Sequence, residues 1–176
     1  NQEWARAART SQPLSLLLIQ VNCPWVNKND HNLQKENRCL QAVALAIRRS
    51  ALRPGDFAGR YGQEEFALIL TDTERGGASV VATRILVAIE TLGKDYFKDI
   101  DDFKSTVTIG FATTHPSHKD LKTSSAALSV AVDISVYEAK LSGTNQIVIQ
   151  NNHTAPKEGA SSTISYNLKT HNNILA

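Results

Sequence analysis

Methionine is absent from this 176-residue chain and the first residue is Asn1, so it reads as a piece of a longer protein. Cysteine is almost absent. Cys23 and Cys39 show neither a C-x-x-C pair nor metal-ligand spacing, which gives no support for a metal module and predicts two reduced thiols in a reducing compartment. No apolar run reaches membrane-spanning length and no signal peptide opens the chain. A soluble cytoplasmic domain is therefore expected, alone or as the cytoplasmic part of a larger membrane-bound sensor. A large excess of one charge is missing too. With 19 Lys and Arg against 17 Asp and Glu the net charge is +2, too mild a field to argue for nucleic acid, so any anionic ligand must be held by local arginines. What is present is a 41% hydrophobic share, enough for one sizeable core and hence one domain.

The densest stretch is 53–66, which packs a helix stop, a hairpin and a run of charges into one segment. Pro54-Gly55 ends the preceding helix, Pro by removing a donor and Gly by supplying a left-handed turn. Residues 57–61 read as a short strand, and Gly62-Gln63 fits a two-residue turn with Gly where a positive φ is needed. Residues 66–70 return as a strand that is apolar on both faces and therefore central, leaving Gly62, Gln63, Glu64 and Glu65 at an exposed tip.

The remaining elements follow from periodicity. Residues 1–9 predict a helix closed by Ser11-Gln12-Pro13, and 14–19 a buried strand. Leu33, Leu40, Val43, Ala44, Ile47 and Ala51 mark an amphipathic helix running to Arg53-Pro54, after a polar loop in which His31 is a surface residue. Thr71-Asp72-Thr73-Glu74 starts another helix with Ala78, Val81, Ala82, Ile85 and Ile89 inward and Arg84 exposed. Residues 94–104 read as a solvated loop in which Asp99, Asp101 and Asp102 have no metal role. Residues 106–112 are strand-like. A helix capped by Ser124 or Ser125 then turns Ala127, Ala131, Ile134, Tyr137 and Leu141 inward and stops at Gly143. The last strand is 146–149. Residues 151–176 form a polar, flexible tail in which Ile164, Tyr166 and Leu168 could add an edge strand, leaving 1–150 as the domain. This order predicts an α/β (α+β) sandwich: a central, mostly antiparallel five-stranded sheet with helices on both faces.

Arg60-Tyr61-Gly62-Gln63-Glu64-Glu65-Phe66 resembles the R-Y-G-G-(D/E)-E-F signature of the GGDEF domain, the bacterial diguanylate cyclase module. The resemblance covers residues 4–149 and includes element order. Family members join two GTP molecules into cyclic di-GMP, one GTP on each of two facing domains. The resemblance implies that fold, and it implies a degenerate active site. Gln20-Val21-Asn22-Cys23-Pro24-Trp25 stands where the family has D-(I/V)-D-x-F-K, so Gln20 replaces the metal-binding Asp and Pro24 lacks an N–H that would cradle phosphate. Asn37 replaces the guanine-reading Asp, and Lys28, or Asn29 with a one-residue shift, stands at its partner Asn. Gln63 replaces the second Gly of the motif and Thr144 a phosphate-binding Arg. The family's D-x-L-T-G-L-x-N-R-R stretch before the first helix is missing. Glu64, Glu65 and Lys140 remain, with Glu64 the one candidate metal ligand, so no cofactor is expected beyond Mg²⁺ in the case of residual GTP binding.

The family's inhibitory product site is better kept. Arg53-Pro54-Gly55-Asp56 matches its R-x-x-D at the family spacing from the motif, and Arg84 stands at the family's helix position. Guanidinium forks bind phosphate and stack on purines, while a carboxylate accepts from guanine's N–H edge. Read without the family, Arg53 is a helix-end cation and Asp56 a turn residue. The resemblance implies a domain that no longer cyclises GTP but binds cyclic di-GMP through Arg53, Asp56 and Arg84. Occupancy would pass to an N-terminal sensory or linker domain, and the ligand could bridge a homodimer. Two alternatives stay open: a weak cyclase or GTP binder using Glu64 and Lys140, and a protein-interaction scaffold that binds no nucleotide.

Overall fold

The computed structural model describes residues 2–22, 33–96, 106–117, 124–143 and 146–150. Its organising strand is β1, Leu14–Asn22, whose apolar run suits neither face to water and so belongs at the centre of a sheet. On one side it ladders antiparallel to β3, Glu65–Thr71, with Leu14 opposite Thr71 and Gln20 opposite Glu65. On the other it ladders antiparallel to β4, Thr106–Thr114, with Leu14 opposite Thr114 and Asn22 opposite Thr106. The short β2, Phe57–Arg60, forms one edge against β3, and β5, Gln146–Gln150, forms the other, parallel to β4. The order β2-β3-β1-β4-β5 is the mostly antiparallel five-stranded sheet that the pattern predicts. Its parallel pair arises because β4 and β5 are joined through a crossover helix, α4, Ser124–Ser142.

Helices cover both faces. Alternation along β1 sends Leu17, Ile19 and Val21 to one side, where they pack with residues of α2, Leu33–Ser50, and α3, Arg75–Tyr96, among them Leu40, Val43, Ile47, Ile85 and Ile89. Leu14 and Leu18 face the other side, against Trp4 and Ala7 of α1, Gln2–Thr10, and Leu128, Val132 and Val136 of α4. Ser15 is a buried polar residue, and it is satisfied: its hydroxyl donates to the Thr73 carbonyl at 2.8 Å and lies 2.6 Å from Thr113 Oγ1. Among the described residues no helix is long and apolar enough to cross a membrane.

Several sequence expectations need correction. α2 ends at Ser50, short of Arg53-Pro54, because a residue before Pro is itself disfavoured in helical conformation and the helix stops earlier. α3 runs on to Tyr96, into the segment expected to be loop from 94. Gly55 and Gly62 do not adopt positive φ; among the described glycines Gly143 does, at 119°. What Gly55 requires is space: a Cβ there would stand 2.5 Å from Thr71 Oγ1, whereas one on Gly62 would stand 2.8 Å from Glu65 Oε2, the mobile end of a long side chain. Cys39 is disulfide-bonded rather than a reduced thiol, since sparse spacing in sequence says nothing of proximity in space, and its partner falls outside the described residues. The readings of Pro24, Lys28, Asn29, His31, Asp99, Asp101, Asp102 and Thr144 and of the tail 151–176 also fall outside them.

The largest correction concerns α4. Leu128, Val132, Ser135, Val136 and Ala139 face the sheet, while Ile134, Tyr137 and Leu141, expected inward, are exposed. Size decides between two apolar stripes. β4 presents Gly110 to the helix, and a Cβ there would stand 2.5 Å from the Val136 backbone nitrogen and in contact with Ser135 Oγ. Only a face bearing a small residue such as Ser135 fits so close a seam. Gly110→Ala is therefore expected to destabilise the domain by about 3 kcal/mol in urea unfolding, since one of the two nearest obstacles is backbone and cannot rotate away. A loss below about 0.5 kcal/mol would mean that the seam is looser than its geometry.

Candidate functional site

The hairpin tip is built from backbone first. β2 and β3 pair from Phe57 opposite Ile69 to Arg60 opposite Phe66, and the connection spans residues 61–64 rather than Gly62-Gln63 alone. The Tyr61 and Gly62 amides both donate to the Glu65 carbonyl, at 2.8 and 3.1 Å, closing the loop on itself. Arg60 clamps it from outside, its Nε donating to the Gly62 carbonyl at 3.0 Å and its Nη2 to the Gln63 carbonyl. The Val21 amide donates to the Glu64 carbonyl at 2.9 Å, which fixes the tip against the end of β1. Sequence reasoning gave Arg60 no task, although a cation two and three residues from carbonyls in a tight loop is the signal that could have found it.

At that end of β1 lies a polar pocket of about 260 Å³ lined by Gln20, Val21, Asn22, Glu64, Thr106, Thr108, Lys140 and Gly143. The ladders explain the convergence. Gln20 sits opposite both Glu65 and Thr108, Asn22 sits opposite Thr106, and the C-terminal turn of α4 brings Lys140. The structure thus gathers three of the sequence candidates, Gln20, Glu64 and Lys140, around one cavity. Gln63 is exposed and Glu65 half-buried beside it. The threonines and Asn22 were not anticipated, though alternation along 106–108 puts both threonines on one face. Among the lining residues Glu64 is the one carboxylate and Lys140 the one cation. Gln20 Oε1 is buried without a hydrogen-bond partner. To Mg²⁺, a hard cation held through carboxylates, this donor set offers a single acid, with a neutral amide and an ammonium beside it. No group of three or more potential metal ligands occurs among the described residues.

A second groove of about 310 Å³ runs between α2 and the hairpin, lined by Asn37, Leu40, Gln41, Ala44, Ile47, Arg48, Ala58, Gly59, Arg60 and Phe66. Its floor is apolar and its rim carries amides and two guanidinium groups. Asn37 lies here, apart from the Gln20 pocket.

The third place is the corner where α2 ends. Arg53 and Asp56 bracket a tight turn: the Asp56 amide donates to the Arg53 carbonyl at 3.1 Å, and Asp56 Oδ2 accepts from the Arg53 amide at 3.3 Å. Arg53 Nη1 donates to the Asp72 carbonyl at 3.0 Å and reaches Thr73 Oγ1 at 3.4 Å. Arg84 comes across from α3 and its Nη1 donates to the Ser50 carbonyl at 3.0 Å, satisfying a carbonyl that the helix end leaves orphaned. Arg53, Asp56 and Arg84 therefore gather around one helix end, both arginines exposed. Asp56 Oδ1 is buried and has no partner.

Residues 1–146 match the family model described as diguanylate cyclase, GGDEF domain. Diguanylate cyclase A of Treponema denticola is 31% identical over 143 residues, covering 81% of this chain and 36% of that protein. This chain spans about a third or less of the length of the curated relatives it matches. Among solved structures, the GGDEF domain of DgcB from Caulobacter crescentus in complex with c-di-GMP is similar, with a TM-score of 0.67, 27% identity and 84% of each chain covered. Diguanylate cyclase SiaD of Pseudomonas aeruginosa, in complex with its activator SiaC, is similar with a TM-score of 0.68 and 26% identity, covering 85% of this chain and 54% of that one.

The Arg60 clamp has a measurable consequence. Arg60→Met keeps the aliphatic stem and removes both charge-assisted bonds to the loop carbonyls. Hydrogen exchange at the Tyr61 and Gly62 amides is expected to accelerate about tenfold while the core strands keep their protection. Unchanged exchange would mean that backbone bonding alone sets the tip.

Proposed function

The chain belongs to the GGDEF family of diguanylate cyclase domains, and on that premise we propose that it is a cyclic di-GMP receptor domain that no longer cyclises GTP. The carrying observation is Asp56 Oδ1, a buried acceptor without a donor, in the turn that Arg53 opens beyond the end of α2, where Arg84 bonds the Ser50 carbonyl. An unmade hydrogen bond on a buried carboxylate is costly, and the N–H edge of a guanine supplies the missing donor. Arg53 now spends one nitrogen on a neutral carbonyl. Exchanging that acceptor for a phosphate gives a charge-assisted bond of roughly twice the strength, and the fork leaves nitrogens for stacking or bidentate contact. The DgcB complex with c-di-GMP lends support from a related domain.

Loss of cyclisation rests on the Gln20 pocket, which offers Mg²⁺ a single acid, and on the substitutions at Asn37, Gln63 and Thr144. In this reading the domain reports to a sensory or linker domain ahead of it, and cyclic di-GMP is able to bridge two copies. A second reading has one observation in its favour. Glu64 and Lys140 line the same pocket, and an acid and an ammonium at the rim of a polar cavity could hold GTP or support slow turnover.

Calorimetric titration of cyclic di-GMP is expected to give a micromolar or tighter Kd, weakened at least about tenfold, about 1.4 kcal/mol, in Arg53→Ala. Absence of heat in the unsubstituted domain would overturn the receptor reading. Incubation with GTP and Mg²⁺ or Mn²⁺ is expected to yield no cyclic di-GMP. Product that disappears in Glu64→Ala would instead establish the weak cyclase.

A further inference from the structure

Ala127, Val130, Ile134, Tyr137 and Leu141 succeed one another along α4 at alternating spacings of three and four. They lie on the side turned away from the sheet, and the exposure is large: 56% for Val130, 46% for Ile134, 63% for Tyr137 and 72% for Leu141. Scattered exposed apolar residues need no account, but a continuous stripe over ~20 Å of helix does. Three-four spacing is the seam of a left-handed pair of helices, whose knobs repeat every three and a half residues. The stripe therefore fits another helix.

The charges beside the stripe say which helix and in which direction. With Ala127, Ile134 and Leu141 at one seam position of the seven-residue repeat and Val130 and Tyr137 at the other, Asp133 and Lys140 both precede a seam residue and share one flank. Both are exposed. Glu138 lies on the opposite flank. In a parallel pair of identical helices, the flank of Asp133 meets the flank of Glu138 in the other copy, acid against acid. In an antiparallel pair each flank meets its own counterpart, so Asp133 meets Lys140 of the second copy, and the two-fold axis repeats the pair. We propose that this face of α4 docks a second copy of the chain, α4 against α4 and antiparallel, without nucleotide. It is independent of the cyclic di-GMP reading, since α4 covers the opposite face of the sheet from α2 and α3.

A single helix pair sits at the low end of specific interface sizes, so association in the micromolar range is expected. The test is sedimentation equilibrium of the whole 176-residue chain without nucleotide, up to about 100 µM. The unsubstituted chain is expected to dimerise, and Ile134→Asp to be monomeric with the thermal melt that the unsubstituted chain shows when dilute enough to be monomeric, its site being on the surface. Asp133→Lys, which sets like charges together twice, is expected to weaken the dimer about tenfold or more. The double exchange Asp133→Lys with Lys140→Asp restores it. A monomer throughout the concentration range would overturn the proposal. So would a chain that dimerises only after removal of residues 151–176, because the tail would then be the occupant. Dimerisation untouched by Ile134→Asp would place the interface elsewhere.

Discussion

The structure hangs on β1 being bonded on both sides. Its two antiparallel ladders, to β3 and β4, fix the register of most of the sheet, and its alternating side chains supply the core to both helical layers. Since the register is set by burial, a slip of one residue would exchange the Leu17, Ile19 and Val21 face for the Leu14 and Leu18 face and strand Ser15 away from Thr73 and Thr113. The functional geometry inherits that rigidity. One bond beyond the β1–β3 ladder, from the Val21 amide to the Glu64 carbonyl, holds the hairpin tip where Gln20, Glu64 and Lys140 share a cavity.

Two ends of the molecule then offer opposite chemistry. The Gln20 pocket balances one acid against one cation and buries an amide oxygen without a donor, so it has polar walls and little net charge. The α2 corner carries two exposed arginines and, in the turn that one of them opens, a buried carboxylate oxygen. On the proposed reading a dianionic guanine nucleotide would favour the arginine corner, since charged hydrogen bonds outweigh neutral ones by about twofold. Both arginines already serve the fold, Arg84 capping α2 and Arg53 tying the turn to Asp72. A structural role and the proposed binding role are compatible because each of these bonds uses one nitrogen of a five-donor fork.

Much of this was legible in the chain. The unbroken apolar run 14–19 announces a central strand, whereas the grouping of Arg53, Asp56 and Arg84 was implied by the family resemblance alone. The glycines were legible as special but for the wrong reason. Gly55 answers to the Thr71 side chain, a contact that only a folded hairpin creates, and neither Gly55 nor Gly62 answers to local φ. The inward face of α4 was not legible, because both of its faces are apolar. Periodicity cannot choose between them, and the choice falls to the clearance at Gly110, a residue on another element. The bonded state of Cys39 is of the same kind, set by tertiary proximity.

A helix with two apolar faces and a sheet with helices on both sides have a joint consequence. If α4 pairs with α4 on one face and cyclic di-GMP bridges copies at the α2 corner on the other, each copy carries two self-complementary contacts facing opposite ways. Each contact alone closes a dimer. Together they alternate along a row, and because neither two-fold closes the other, the row stays open unless its ends meet. Ligand would then lengthen assemblies of dimers rather than create dimers from monomers. In such a row the ligand adds one link per pair of dimers, and its apparent affinity rises with chain concentration by the effective concentration of the second corner. The stripe on α4 would set the unit, and the arginine corner would count how many units are joined.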